Sequence, residues 1–190
     1  MRVISGSARG LKLKAPEGLD TRPTIDRIKE SLFNIIANDL YDIDFLDVYS
    51  GSGGIGIEAL SRGARSAVFI DSAKKSIDVI EKNLKSSRLS DSATVLKSDV
   101  FDAILKLGRE NKKFDIIFMD PPYKKGLVEE TLEAIKNSKI LADDGFIIAE
   151  QSSDEKEIDV DGFNVYRVKK YNKIKMTFLE NDCSEVLSDE

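Results

Sequence analysis

From residue 45 onward, short apolar runs alternate with stretches whose apolar residues recur every three to four positions. FLDVY (45–49), SAVFI (66–70), ATVLK (93–97), FDIIFM (114–119) and GFIIAE (145–150) read as strands. Helical patterns lie between them. One opens near Gly54, and one spans about 73–87 with Ile77, Ile80 and Leu84 on one face. A third contains Ile104, Leu105 and Leu107, and a fourth contains Leu127, Val128, Leu132 and Ile135. Strands alternating with helices pair in parallel through right-handed crossovers, so the pattern predicts an α/β, doubly wound, mostly parallel Rossmann-like sheet. After residue 162 the alternation stops. FNVYRVKKY and KIKMTFLE, separated by little more than Asn172, predict an antiparallel C-terminal hairpin. Ahead of the alternation, residues 1–22 read as a small β-hairpin arm punctuated by Gly6, Gly10, Pro16 and Gly18. Thr24 then caps a helix reaching about Asp39, with Ile28, Leu32, Ile35 and Ile36 at helical spacing. The expected organisation is an N-terminal extension (1–40), a main domain (41–180) and an acidic, disordered tail (181–190).

Composition narrows the chemistry. The chain has 190 residues, 33% of them charged, one cysteine and no histidine. A disulfide framework, a histidine-containing zinc site and a Ser-His or Cys-His catalytic pair are excluded within one chain, and no metal is expected. No apolar run approaches the ~20 residues of a membrane span. MRVISGSARG carries no signal-peptide core, so a cytoplasmic location is expected. The net charge of −5 hides a pattern. Residues 1–29 carry seven basic and three acidic side chains, 166–176 carry five basic and no acidic, and 180–190 carry five acidic and no basic. Local fields of this kind, rather than the sum, steer a phosphate backbone.

In open α/β sheets, ligands bind beyond the carboxyl ends of the strands. The first strand ends in LDVYSGSGGIG, where Gly51, Gly53 and Gly54 allow a tight turn and close approach of a ligand. Asp71 ends the second strand, 20 residues after Gly51 (71 − 51), the placement of a carboxylate that accepts from ribose hydroxyls. GSGGIG also fits a dinucleotide glycine pattern through Gly51, Gly53 and Gly56, so an NAD enzyme stays open as an alternative. Asp47 inside the first strand and Asp99 at the end of the third tip the balance. A pyrophosphate needs neither. A zwitterionic adenosine cofactor uses one carboxylate for its ammonium, one for its ribose and one near its adenine, which describes S-adenosylmethionine.

The fourth strand ends in Asp120-Pro121-Pro122-Tyr123, which holds two of the chain's four prolines. An exocyclic amine on a base is a poor nucleophile because its lone pair is delocalised into the ring. Two acceptors for its N–H bonds hold it in line and enrich its electron density. Asp120 supplies one, and the Pro121 carbonyl, aimed by a rigid ring, supplies the other. Tyr123 offers a face on which an extruded base stacks. The proton becomes acidic once the methyl has moved, so no histidine is needed. The residues alone therefore point to an S-adenosylmethionine-dependent amino-methyltransferase.

The chain also resembles a family. The DPPY tetrapeptide after strand four, with G-x-G after strand one, is the mark of class I amino-methyltransferases. The stretch MRVISGSARGLKLKAPEGLDTRPTIDRIKESLFNII is similar to the N-terminal signature of the bacterial RsmD-type 16S rRNA guanine-N2 methyltransferases. LDVYSGSGGIGIEALSRGA and FDIIFMDPPY resemble the cofactor and catalytic motifs of that family. The resemblance implies methyl transfer from S-adenosylmethionine, leaving S-adenosylhomocysteine, to the exocyclic N2 of one guanine in 16S rRNA within a small-subunit particle. It implies a cofactor site of Asp47, Gly51, Ser52, Gly53, Asp71, Ser72, Asp99 and Val100. It places catalysis on Asp120, Pro121, Pro122 and Tyr123, and RNA contacts on Arg9, Arg22, Arg27 and Lys29. Three places depart from the family pattern: Tyr49-Ser50 before the glycines, Ser72-Ala73 after Asp71, and Gln151 after Glu150. A DNA or RNA adenine-N6 methyltransferase, and a non-catalytic RNA-binding module on the same fold, are the alternatives.

Overall fold

The computed structural model describes residues 1–15, 23–122 and 126–182, with side chains described from Asp26 in the first helix. Arg22, Tyr123 and the acidic tail from Cys183 lie outside the described residues. The chain divides into two compact units, Met1–Ala103 and Ile104–Glu190, each with its own sheet strands and buried face.

The first unit opens with the predicted arm. It is a hairpin held by one antiparallel bridge between Arg2 and Lys12, with Val3 N–H donating to the Leu11 carbonyl at 2.9 Å and Leu13 N–H to the Met1 carbonyl at 3.0 Å. Helix α1 (Pro23–Ile35) begins on a proline rather than on the predicted threonine cap. Proline suits the first helical position because its missing N–H would have no partner there. The helix gives way to a short 3-10 turn at Ala37–Asp39. Its buried face is Lys29, Leu32, Phe33 and, just beyond, Ile36.

Strands β1 (Asp44–Val48), β2 (Ser66–Asp71) and β3 (Ala93–Lys97) follow, with helices α2 (Gly54–Ser61) and α3 (Lys74–Ser87) as crossovers. All pairing is parallel, in the order β3-β2-β1, with Asp47 opposite Phe69 and Asp71 opposite Lys97. β1 is a near-continuous apolar run because both of its faces are covered, as expected for a parallel strand. Phe45, Leu46, Val48, Ile57, Phe69, Ile70, Ile80 and Leu84 form the core. Each such side chain contributes roughly 1.5–3 kcal/mol by leaving water. Helix α4 (Val100–Arg109) carries the division between the units.

The second unit holds β4 (Phe114–Met119), α5 (Leu127–Ser138), β5 (Leu141–Ser152), β6 (Phe163–Tyr171) and β7 (Ile174–Asn181). Its strands run in the order β4-β5-β7-β6. β4 and β5 are parallel, whereas β7 is antiparallel to both β5 and β6, as the terminal hairpin requires. β5 starts four residues earlier than the apolar pattern indicates and runs two residues further. Gly145 allows the early start. A Cβ there would come within 2.9 Å of the Asp115 carbonyl, where the β4–β5 register also shifts. Ile116, Ile117, Met119, Leu132, Ile135, Ile147, Ile148 and Phe178 fill this core. Among the described residues, no helix is long and apolar enough to cross a membrane.

Candidate active site

The first unit presents a loop built for close backbone approach. Tyr49 leaves β1 with φ +61°, and Gly51 and Gly53 follow at +55° and +74°. A left-handed non-glycine residue costs of order 1 kcal/mol and persists only where its surroundings hold it. Ser50 is what holds it. Its hydroxyl donates to the Asp47 carbonyl at 2.6 Å and accepts from Ile70 N–H at 3.0 Å, pinning the end of β1 to the end of β2. The departure at Tyr49-Ser50 therefore has a structural use. Gly51 N–H donates to Asp71 Oδ2 at 2.9 Å, and Ala73 N–H to Asp71 Oδ1 at 2.8 Å. Each oxygen of the half-buried Asp71 keeps a lone pair for a further donor. Asp99 is exposed and accepts from Phe101 N–H at 2.9 Å, which starts α4 with Val100 buried behind it. Ser72 is exposed and Ser52 half-buried.

Asp47 differs from the expectation of a direct cofactor ligand. It is only 2% exposed, and its Oδ2 accepts from Gly56 N–H at 2.9 Å. A buried carboxylate needs such partners, and this one braces the loop from below. Gly56 is required by packing. A Cβ there would meet the Phe69 ring at 2.4 Å.

Asn83 was not predicted. It sits on the buried face of α3, donates to the carbonyls of Ser52 and Lys14 at 2.9 Å each, and accepts from Lys14 N–H at 2.8 Å. One amide thus ties the glycine loop to the N-terminal arm. A polar residue beside Ile80 and Leu84 in an apolar stripe was the available signal. Asn83→Leu should destabilise the protein by about 1–3 kcal/mol, the cost of leaving buried backbone groups unpaired. It should also weaken adenosine-cofactor binding. A melting curve and a calorimetric titration test both, and unchanged values for the variant would refute the role.

In the second unit, Asp120 follows the last residue of β4, Pro121 is buried and Pro122 is exposed. The Asp120 side chain reaches solvent on one side. Protein on the other sides strips much of its hydration, and this burial pushes its pKa up to about 6. Glu150, half-buried on β5, is pushed up to about 8 by burial and by the charge of Asp120. Glu150 was not predicted as a site residue. The signal was present, since GFIIAE ends an apolar run on a carboxylate as FDIIFMD does. Gln151 is buried, and its Oε1 accepts no hydrogen bond among the described residues.

The residues expected to face RNA separate. Arg9 and Arg27 are exposed. Lys29 is not: it is 1% exposed, with Nζ 3.1 Å from Glu58 Oε2 and donating to the Arg2 carbonyl at 2.6 Å. Burial lowers its pKa, opposed by Glu58. This corrects the sequence expectation. The ammonium is consumed inside the fold and offers nothing to a phosphate.

Comparison with known proteins agrees with this architecture. Residues 1–180 match the family described as conserved hypothetical protein 95. The ribosomal RNA small subunit methyltransferase D of Escherichia coli K12 is 37% identical over 79% of this chain and 74% of its own length. YlbH of Bacillus subtilis is 44% identical over 79% of this chain and 82% of its own length. The solved structure of yhhF from Escherichia coli superposes with a TM-score of 0.86 at 32% identity, covering 97% of this chain and 99% of that one. The doubly wound fold class read from the sequence is therefore the one present. The chain belongs to the conserved hypothetical protein 95 family, the RsmD-type group of methyltransferases to which its motifs pointed.

Proposed function

We propose that this protein transfers the methyl group of S-adenosylmethionine to the exocyclic N2 amine of one guanine in 16S rRNA, in the cytoplasm and within a small-subunit particle. The observation that carries the reading is the end of β4, where a solvent-exposed carboxylate, its pKa raised by the protein packed around it, is followed by two prolines. The donor set of the first unit fits the cofactor. Asp71 has acceptor capacity for ribose hydroxyls, Asp99 and Ser72 are exposed for the adenine side with Val100 buried behind Asp99, and Gly51 and Ser52 are half-exposed, whereas Gly53 is buried and its N–H donates to the Ser50 carbonyl. Bound there, the cofactor would supply an electrophilic methyl group on a sulfonium sulfur. Asp47 acts as a brace for this loop. Asp120 accepts one N–H of the target amine and the Pro121 carbonyl accepts the other. This raises the electron density on nitrogen and fixes its lone-pair direction. Tyr123 supplies the stacking face. The proton released after transfer passes to Asp120.

The Escherichia coli relative is named for small-subunit rRNA and the Bacillus subtilis one for rRNA, and the N-terminal signature resembles that of the same type. The test is transfer of labelled methyl to small-subunit particles from cells lacking the enzyme, followed by nucleoside digestion. N2-methylguanosine at a single position is the expected product. Label in N6-methyladenosine, or in DNA offered alongside, would overturn the substrate assignment.

The raised pKa of Asp120 predicts an acid limb. The acceptor works ionised, so kcat/KM should rise with pH through a midpoint of about 6. A profile flat from pH 5 to 7 would exclude Asp120 as the titrating acceptor. Arg9 and Arg27 are proposed as phosphate contacts, together with Arg22. Reversing Arg9 and Arg27 to Glu should weaken RNA binding and make its salt slope shallower by about one unit per lost contact. An unchanged slope would assign both arginines to the protein's own surface.

A further inference from the structure

β4 and β5 run parallel and in register, pairing Ile117 with Ile147, Phe118 with Ile148 and Met119 with Ala149. The residues that follow are Asp120 and Glu150. In-register neighbours on parallel strands project to the same side, with strands about 4.8 Å apart. Two carboxyl groups therefore stand side by side where β4 ends against β5. Among the described residues, Asp120 is the charged group that acts on Glu150. On the opposite flank, β7 places apolar Met176 against Glu150. The next lysine on that strand, Lys175, sends its Nζ to the carbonyls of Glu155 and Lys156 at 2.6 and 2.9 Å. Among the described residues neither Asp120 nor Glu150 forms an ion pair. A buried acid with a purely structural task has donors around it, as Glu58 does. Glu150 instead faces a second acid.

We infer that Glu150 reads the Watson–Crick edge of the target guanine next to Asp120, accepting the ring N1–H and donating its own proton to O6. The inference rests on the function proposed above and adds the residue that selects the base. Near neutral pH the pair holds one proton, because Asp120 ionises first, and burial together with the Asp120 charge keeps Glu150 protonated. The pair thus offers, in order, a donor and an acceptor from Glu150 and a second acceptor from Asp120. The guanine edge presents O6 as acceptor, N1–H as donor and N2–H as donor. The two sequences are complementary. Adenine presents an amine where O6 would be and a bare N1, and it has no amine at position 2. The transferred methyl replaces one N2 hydrogen, whose proton leaves to Asp120, so Glu150 keeps its own proton through the reaction.

The deciding experiment is a cycle between residue and base. Small-subunit particles carry either guanine or 2-aminopurine at the methylated position; 2-aminopurine keeps the N2 amine but lacks O6 and N1–H. Transfer is measured for the wild type, Glu150→Gln and Glu150→Ala from pH 5.5 to 9.5, with cofactor affinity and melting as folding controls. For the wild type, 2-aminopurine should lower kcat/KM by at least ~30-fold, because buried polar groups are left unpaired. For Glu150→Ala the same replacement should cost less than about threefold, since the reading group is already gone. Glu150→Gln should keep guanine activity within about fivefold, because an amide offers the same donor and acceptor. It should also lose any alkaline fall near pH 8, where Glu150 gives up its proton. Wild-type activity in Glu150→Ala, or a 2-aminopurine penalty undiminished in that variant, would overturn the inference. Should Glu150→Ala fail to fold, Glu150→Gln decides: loss of the alkaline limb with the penalty retained supports the assignment, and an unchanged limb refutes it. Failure of the wild type to methylate guanine at all would instead remove the proposed function itself.

Discussion

Asp120→Ala should leave cofactor affinity nearly unchanged and cut turnover by at least ~10²-fold, the scale of one lost transition-state acceptor. The reason is the division of labour between the units. The groups proposed to hold the cofactor belong to β1, β2, β3 and the loops that follow them. Asp120 belongs to β4 and is proposed to touch only the target amine. Its removal takes away a group whose hydrogen bond strengthens as charge builds on nitrogen, so the loss falls on kcat and on kcat/KM alike. Asp120→Asn sharpens the test. The amide oxygen still accepts an N–H, so this variant should retain more activity than alanine and lose the acid limb near pH 6. Full turnover in the alanine variant would sink the assignment of Asp120 as acceptor. A matching loss of cofactor affinity would show that the variant has disturbed the fold.

The largest expected effect on stability is at Glu58, in the fully buried face of α2. Four donors converge on its carboxylate: Ile4 N–H at 2.8 Å, Ser5 N–H at 3.0 Å, Arg62 Nε at 2.8 Å and Lys29 Nζ at 3.1 Å. This one side chain docks the N-terminal arm and α1 onto α2. Glu58→Leu leaves an ammonium and two backbone N–H groups buried without their acceptor. Breaking a buried pair from one side costs about 3–5 kcal/mol. For a chain of this size each kcal/mol moves Tm by about 2–4 °C, so a fall of roughly 6–20 °C is expected. Lys29→Met should be milder, because Glu58 keeps three of its donors. The double variant Glu58→Leu/Lys29→Met should recover part of the loss, since no buried ammonium is then stranded. A melting temperature for Glu58→Leu within 2 °C of the wild type would show that the arm is held by its apolar contacts instead. RNA binding offers a second readout, because Arg9, proposed above as a phosphate contact, rides on the arm.

Glu58 also shows where reading the chain as a string fails. Apart from Arg62 four residues on, its donors come from 53 to 54 residues away in the arm and from Lys29 in α1. The helical spacing of α1 places Lys29 on the same face as Leu32, Phe33 and Ile36. Composition alone classed it as one more surface cation in a basic segment. Nothing local to residues 1–40 says that a carboxylate waits on the covering helix. Asp47 is the same lesson with the sign reversed. Its place inside the first strand, as an acid in an apolar run, suggested a ligand, and only the hydrogen bond from Gly56 in the first turn of α2 shows it closed beneath.

What the amino-acid sequence determined by itself is the succession of strands and helices, the left-handed glycine turn after β1, and the acids and prolines at the strand ends. Those features depend on short-range periodicity and backbone sterics, which a few neighbouring residues settle. The tertiary structure decided which polar groups are spent inside the fold and which remain for chemistry. Asn83 became a clamp, Lys29 and Glu58 became an internal tie, and Glu150 came to stand beside Asp120 because β4 and β5 pair in register. Desolvation and hydrogen-bond partnership are properties of three-dimensional surroundings. A carboxylate in the chain has the same formula wherever it stands, and its charge state and its role follow from what packs against it.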